Sequence, residues 1–302
     1  MNSKYEISTK ENREFLKASC EELLNFGHRF PSPNGGSYYL GDDGTPWKDR
    51  NRETWITCRM AHVYSLGLML GHEGSGELAD AALKGLKGEL HDEKNGGWYA
   101  GVTPEGDIVP NKQCYAHAFV ILAASSALTA GRPGAKELLE EALAVYDRHF
   151  WNEEEGLACD TWNTEFTVLD DYRGLNANMH TVEAFLAAGD VIGDKKYHIR
   201  AGRIIDHVIG WAEDNNWRIP EHFTKEWVAD LDCNRDRPDD PFKPYGATPG
   251  HGIEWARLIT QWTLANCGEE KEKLEIHLQA AENLYTTAIK DGWNADGAPG
   301  ID

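Results

Sequence analysis

The chain has 302 residues, of which 41% are hydrophobic and 10% aromatic, so it can bury a substantial core and is not globally disordered. Fifty acidic against thirty basic side chains give a net charge of −20, a field that repels nucleic acid and anionic lipid. No stretch reaches the roughly 20 apolar residues of a membrane span, and residues 1–17 lack the apolar run of a signal peptide. The six scattered cysteines form no C-x-x-C pair and fit reduced thiols. We therefore expect a cytoplasmic protein with a neutral substrate and no nucleic-acid or membrane partner.

Helical periodicity dominates the chain from its start and predicts a run of helices. Their predicted bounds are 11–27, 55–71, 77–91, 112–131, 135–149, 174–192, 195–214, 250–267 and 270–290. Gly71, Gly131 and Gly193 follow apolar periodic runs, at the position where a glycine commonly ends a helix. Thr248 and Pro249 are typical of a cap followed by a proline in the first helical position.

Short aromatic segments lie between the predicted helices and are typical of β-hairpins. They cover 97–107, 157–162 and 216–221, and the order hairpin, helix, helix recurs about every 60 residues. A repeat of this length predicts stacked helix pairs. The irregular, aromatic hairpins favour closure of these pairs into an all-α fold, an (α/α)6 toroid or barrel with short β-hairpins at one rim.

The segment 291–297 is typical of the opening of another hairpin, although the sequence ends at Asp302. The predicted helices are also fewer than the twelve, two per repeat, of a closed sixfold ring. We therefore expect residues 1–302 to form a single (α/α)6-barrel domain that is incomplete at its C-terminus, with the last helices missing from this chain.

Side chains suited to chemistry gather at the start of every second predicted helix. They are Trp55 with Arg59, Tyr115 with His117, Asn176 with His180, and His251 with Glu254. Equivalent helix ends lie at the same rim of a toroid, so we expect these four sets to converge on one pocket. Aromatic faces can cover the C–H faces of a sugar, while Arg, Asn and His meet hydroxyls. For Trp55 and Tyr115 taken singly, packing in the core is the alternative.

His251 lies in the first turn of a predicted helix, at the positive end of the helix dipole. That position disfavours imidazolium, so the sequence predicts a lowered pKa and a neutral imidazole that can accept a proton. Glu254, one turn further on, can orient the ring or stabilise its charged form. The alternative is a capped helix whose histidine merely bonds a loop carbonyl.

His180 and Glu183 repeat the spacing of His251 and Glu254. Two facing histidine–carboxylate pairs can bind a divalent ion. Because this spacing is common on helices, we predict no metal.

Three segments resemble the N-acylglucosamine 2-epimerase superfamily, and within it the bacterial mannose isomerase and sulfoquinovose isomerase branch. They are Trp55–Tyr64, Arg173–His180 and Thr248–Trp255, and the resemblance covers essentially the whole chain in order. It implies an (α/α)6 barrel, no metal, no nucleotide cofactor, and proton transfer through a cis-enediol.

The resemblance also implies roles for individual residues. His251 would be one of two catalytic histidines, supported by Glu254, and the open-chain sugar would be held by Trp55, Arg59, Tyr115, Asn176 and His180. Nothing within 1–302 matches the motif of the family's second catalytic histidine. We therefore expect that histidine beyond residue 302, and little activity from a molecule that ends at Asp302.

The resemblance favours a cofactor-independent isomerase that converts free D-mannose to D-fructose. A mannose/glucose 2-epimerase and a sulfoquinovose isomerase are the alternatives of the same class. A toroidal glycoside hydrolase is a rival of another class, and it requires two carboxylates about 5–10 Å apart. A carbohydrate- or protein-binding helical scaffold is a second rival, because fold does not fix function. The expected partner is a monosaccharide, and a homo-oligomer is left open.

Overall fold

The computed structural model describes residues 6–240, 243–294, 297 and 300. The helices are α1 (Lys10–Gly27), α2 (Thr54–Met69), α3 (Ser75–Leu86), α4 (Cys114–Thr129), α5 (Ala135–His149), α6 (Leu175–Ile192), α7 (Lys195–Asp214), α8 (Pro249–Asn266) and α9 (Lys271–Gly292). The strands are β1 (Tyr39–Leu40), β2 (Pro46–Trp47), β3 (Arg52–Glu53), β4 (Gly101–Val102), β5 (Ile108–Val109), β6 (Asn111–Gln113), β7 (Trp151–Asn152), β8 (Leu157–Ala158), β9 (Thr161–Asn163), β10 (Arg173–Gly174) and β11 (His222–Phe223).

The chain divides into two compact units, one of residues 1–112 and 119–143, the other of residues 113–118 and 144–302. In the first unit α2 packs against α3 and α1, and the buried Tyr64 hydroxyl donates to the Leu24 carbonyl at 2.8 Å. Trp98 is fully buried and its indole N–H donates to Leu86 O at 2.7 Å. The single, incomplete domain expected over 1–302 stays a prediction.

In the second unit α6 packs against α7, α8 packs against α9, and α8 also contacts α6 and α7. The Trp262 indole N–H donates to His198 O at 2.7 Å, which joins α8 to α7. A Cβ at Gly202 would lie 2.3 Å from the Trp262 ring, so this close approach of α7 and α8 requires glycine. Helices α7 and α8 are thereby held close together.

The strands are short, and the following pairs are antiparallel. In the first unit β1 pairs with β2, and β4 lies between β3 and β5. In the second unit β7 pairs with β8, and β10 pairs with β11 in a register that sets Gly174 opposite His222. The β10–β11 pair matters for the site, because α6 begins at the residue after β10.

The predicted helices are confirmed as elements, with bounds that differ by a few residues at most ends. Gly71, Gly131 and Gly193 follow helices with φ of 81°, 67° and 71°, and Gly193 is the left-handed C-cap of α6. Pro249 stands in the first turn of α8 after the N-cap Thr248, as predicted. Local sequence signals therefore located the helix ends well.

Two local predictions are wrong. The helix predicted over 77–91 ends at Leu86, because the following backbone turns to form an antiparallel bridge between His91 and Trp98. The hairpin predicted over 216–221 is absent from that described segment, where Asn216 and Trp217 have positive φ; the strand begins at His222.

The predicted opening of a hairpin over 291–297 is partly untested. Helix α9 continues to Gly292, two residues into that segment, and residues 295 and 296 lie outside the described residues. Among the described helices, none combines the length and hydrophobicity that crossing a membrane demands.

Candidate active site

Five of the predicted site residues lie in the second unit, in the first two turns of α4, α6 and α8. They are Tyr115, Asn176, His180, His251 and Glu254. Asn176 and His180 are four residues apart, and His251 and Glu254 three apart, so each pair lies on one face of its helix. The alternate-helix placement predicted from the sequence is thus present in the structure.

His180 joins these helices through direct contacts. Its ring meets the Tyr115 ring edge to face, with centroids 5.1 Å apart, and its Nδ1 lies 3.2 Å from Glu183 Oε2. The guanidinium of Arg257 on α8 donates to Glu183 Oε1 at 3.0 Å and lies 3.7 Å from Glu254 Oε1. A chain of ring and polar contacts therefore runs from Tyr115 through His180, Glu183 and Arg257 to Glu254.

Glu183 is firmly ionised in this network. Burial opposes its charge, but the hydrogen bond and charge of His180 and the Arg257 guanidinium outweigh burial and lower the pKa of Glu183 to about 2. Glu183 therefore cannot supply a proton at neutral pH.

His251 is held by a residue that the sequence analysis did not select. Its Nδ1 lies 2.9 Å from both carboxylate oxygens of Glu221, which precedes β11. Because the carboxylate accepts at Nδ1, the neutral ring keeps its lone pair on Nε2. Glu254, the partner suggested by the spacing, acts on His251 through its charge.

The predicted lowering of the His251 pKa is wrong. Burial does favour the neutral ring, but the hydrogen bond and charge of Glu221, with a smaller effect of the Glu254 charge, raise the pKa of His251 above its usual 6.5. The helix dipole is only one of the influences on His251. The Glu221 carboxylate, which comes from another part of the chain, acts in the opposite direction.

Asn176 presents an unused acceptor. Its side-chain oxygen is buried and has no hydrogen-bond partner among the described residues. A buried amide oxygen without a partner costs free energy, so its retention at the start of α6 is consistent with a ligand hydroxyl as the missing donor.

Trp55 and Arg59 lie in the first unit, in the first turn and a half of α2. The Arg59 guanidinium lies 5.4 Å from the centroid of Trp55 and 4.6 Å from that of Phe119. The Trp55 indole N–H donates to Glu53, which also accepts from the Tyr39 hydroxyl at 2.8 Å. Convergence of Trp55 and Arg59 with the residues of the second unit stays a prediction.

One cluster in the described part of the chain has the donor atoms of a metal site. His180, Glu183 and Glu254 each offer a ligand atom, and these atoms lie within 4.8 Å of one another. However, Arg257 already contacts both carboxylates, and Glu183 bonds the His180 ring. The position that a cation would take is served by a guanidinium, so the donor set does not favour a metal.

Sequence reasoning missed Glu221 and Arg257. Arg257 lies three residues after Glu254, and this helical spacing could have identified it. Glu221 lies 30 residues before His251, in a segment without periodicity, and no local signal connects the two.

The sequence profile of N-acylglucosamine 2-epimerase (GlcNAc 2-epimerase) matches residues 35–302. The chain belongs to this family. It is 39% identical to a D-mannose isomerase of Thermobifida fusca over 96% of this chain and 71% of that protein. It is 38% identical to one of Pseudomonas cannabina pv. alisalensis, over 98% of this chain and 71% of that protein.

Solved structures of the N-acylglucosamine 2-epimerase fold match it as well. A D-mannose isomerase superposes with a TM-score of 0.88 and 27% identity, over 98% of this chain and 74% of that one. A cellobiose 2-epimerase from Bacillus thermoamylovorans B4167 superposes with a TM-score of 0.79 and 21% identity, over 96% of this chain and 75% of that one. The predicted all-α class of the (α/α)6 family is confirmed, and the chain is an enzyme of the isomerase and epimerase family.

Proposed function

We propose that this protein is an aldose–ketose isomerase that converts free D-mannose to D-fructose. The proposal rests on the similarity of the chain to two D-mannose isomerases, at 38–39% identity. The histidine held at the start of α8 supplies the base that such a reaction needs. A 2-epimerase or a sulfoquinovose isomerase differs by where a proton returns or by the sugar substituent, and these stay alternatives.

The reaction needs a base whose lone pair faces the sugar. In the open-chain aldose, His251 Nε2 takes the proton from C2, the C–H electrons form the C1=C2 double bond, and the carbonyl oxygen at C1 takes a proton. The product is a cis-enediol. Loss of the proton from the hydroxyl on C2 and return of a proton to C1 then give the ketose.

Asn176, His180 and Tyr115 are proposed to hold the open-chain sugar. The free acceptor of Asn176 suits a hydroxyl donor, and the Tyr115–His180 pair offers an aromatic face with polar edges. Trp55 and Arg59 have the same proposed role from the first unit. Glu254 would support the charged form of His251.

The reaction is proposed to need no metal and no cofactor, because Arg257 serves the carboxylates that would bind a cation. Glu183 cannot be the protonated carboxyl that a glycoside hydrolase needs, because its pKa is lowered to about 2. A cytoplasmic location is proposed from the six cysteines, all within the described residues and none in a disulfide.

The test is proton exchange followed by NMR. The protein, at the length its gene encodes, is incubated with mannose, fructose, glucose and sulfoquinovose in deuterated water with EDTA. We expect mannose–fructose exchange with deuterium at C1 or C2, lost at least about 100-fold in His251→Ala and retained in His207→Ala, an exposed histidine on α7.

Each other outcome changes the assignment. Glucose as the main early product from mannose identifies a 2-epimerase, and preference for sulfoquinovose identifies the third alternative. Activity lost to EDTA and restored by a divalent ion contradicts the metal-free mechanism. No exchange with any of these sugars contradicts the isomerase proposal.

A further inference from the structure

Glu221 contacts the starts of both helices that carry the candidate site of the second unit. It is 5% exposed, and both of its oxygens lie 2.9 Å from His251 Nδ1. Oε1 also accepts the Thr248 backbone N–H at 3.2 Å. Its own backbone carbonyl accepts the N–H of Leu175, the first residue of α6, at 3.1 Å. One residue thus contacts the beginnings of the two helices that carry Asn176, His180 and His251.

The contacts of Glu221 with the start of α8 take the place of a common N-terminal helix cap. In a capping box, a Glu or Gln at the third helical position accepts the N-cap backbone N–H. In α8 the N-cap is Thr248, which makes no side-chain cap bond within the described residues, and the third position is His251. Glu221 accepts both the N-cap N–H and the histidine, so a distant residue supplies the carboxylate that a capping box would place at position 251.

The fold determines this placement. β11 follows Glu221 directly, and its pairing with β10 sets His222 opposite Gly174, the N-cap of α6. His222 is fixed in turn, because its Nε2 donates to Pro244 O at 2.7 Å while its Nδ1 lies 2.8 Å from the Tyr172 hydroxyl. The carboxylate of Glu221 therefore has little freedom to move away from His251.

The charges around His251 agree with a held and polarised ring. The carboxylate of Glu221 faces it from the segment before β11, and Glu254 faces it from α8 itself. Beyond Glu254, Arg257 of α8 pairs with Glu183 of α6. A buried carboxylate at a helix N-terminus is favoured by the dipole, and it offsets the penalty that the dipole imposes on imidazolium.

We propose that Glu221 is the positioning residue of His251: it holds Nδ1–H against its carboxylate, directs Nε2 to the substrate, and fixes the first turns of α6 and α8 together. This inference rests on the proposed function for its catalytic consequence, but the geometry of the His251 ring can be tested without any sugar.

The direct test is NMR of the sugar-free protein with ¹⁵N-labelled histidine, with the His251 signals assigned from their loss in His251→Ala. We expect the Nδ1–H tautomer in the wild type. In Glu221→Gln, which keeps the size and an acceptor, the His251 pKa is expected to fall, and Glu221→Asp is expected to lie between the two. Glu226→Gln, an exposed change in the loop after β11, is the matched control and leaves the titration unchanged.

The kinetic test uses the same variants. We expect kcat of Glu221→Gln to fall about 10- to 100-fold with a smaller change in KM, and the pH at which kcat/KM reaches half its plateau to move lower. Circular dichroism checks that the variants are folded, and Glu221→Asp rescues part of kcat.

The two proposals fail separately. A folded Glu221→Gln whose His251 keeps the wild-type tautomer and titration overturns the positioning role, even if the protein isomerises mannose. A shifted titration in a protein that exchanges no sugar proton supports the ring geometry and overturns the isomerase proposal alone.

Discussion

Single buried polar residues connect segments that the sequence keeps apart. The side chain of Asn178 is fully buried on α6, where its amide oxygen accepts the Ala158 N–H at 2.9 Å and its amide nitrogen donates to Ala158 O at 3.0 Å. It also donates to Gly174 O at 3.2 Å, one turn earlier. One asparagine thus satisfies both backbone groups of a residue in β8 and fixes that hairpin against the helix that carries Asn176 and His180.

Replacing Asn178 with Ala should destabilise the protein by about 2–4 kcal/mol, because it leaves two buried backbone groups without partners. Urea unfolding followed by circular dichroism measures the loss. Gln279→Ala, an exposed amide on α9, is the control and should change the free energy of unfolding by less than about 0.5 kcal/mol. A loss in Asn178→Ala no larger than in the control would contradict the connecting role.

At the scale of elements, α6 and α8 are joined by an ion pair next to the candidate site. Glu183 of α6 bonds His180 on its own helix and Arg257 on α8. The first turns of both helices must keep their relative position to hold one ligand. A charged contact one or two turns further along stabilises that position. The side chain of Glu183 is 24% exposed and that of Arg257 is 49% exposed, so solvent screens the pair from the Arg257 side.

This pair predicts an acid dependence of stability. The pKa of Glu183 is lowered from 4.5 to about 2, so its contribution is present above pH 4.5 and lost as the pH falls towards 2. Glu183→Gln should therefore lose up to about 3 kcal/mol at neutral pH, and its difference from the wild type should shrink below pH 4.5. Urea unfolding from pH 2 to 7 measures this, with the exposed Glu213→Gln as the control. A difference independent of pH would show that Glu183 acts through packing.

At the scale of the whole molecule, net charge restricts the partners. The formal charge of −20 over 302 residues creates a repulsive field for other polyanions at ordinary ionic strength. A neutral monosaccharide pays no such cost on approach. The charge of the chain therefore agrees with the proposed substrate and disagrees with nucleic acid or an anionic membrane as a partner.

We accordingly expect no measurable binding to double-stranded DNA or to phosphatidylserine vesicles at about 0.1 M salt, a concentration at which charge interactions still reach about 10 Å. Mobility shift and vesicle sedimentation assays measure this, with a basic DNA-binding protein as the positive control. Binding that weakens as salt rises would reveal a local basic surface and contradict the expectation.

The helices and their ends could be predicted from the sequence because they depend on residues a few positions apart. The spacing of apolar residues located α1 to α9, and Gly193 marked the end of α6 because a left-handed residue there needs no Cβ. Prediction failed at 216–221, where two non-glycine residues take positive φ under tertiary constraint.

The sequence by itself determined the family, through motifs at the starts of α2, α6 and α8, and it selected His180 and His251 as candidates. The tertiary structure decided what surrounds them. Glu221 meets His251 across 30 residues, and its charge reverses the direction in which burial alone would move the pKa. A pKa depends on every charge that the fold brings within a few ångströms, and that arrangement does not exist before the chain has folded.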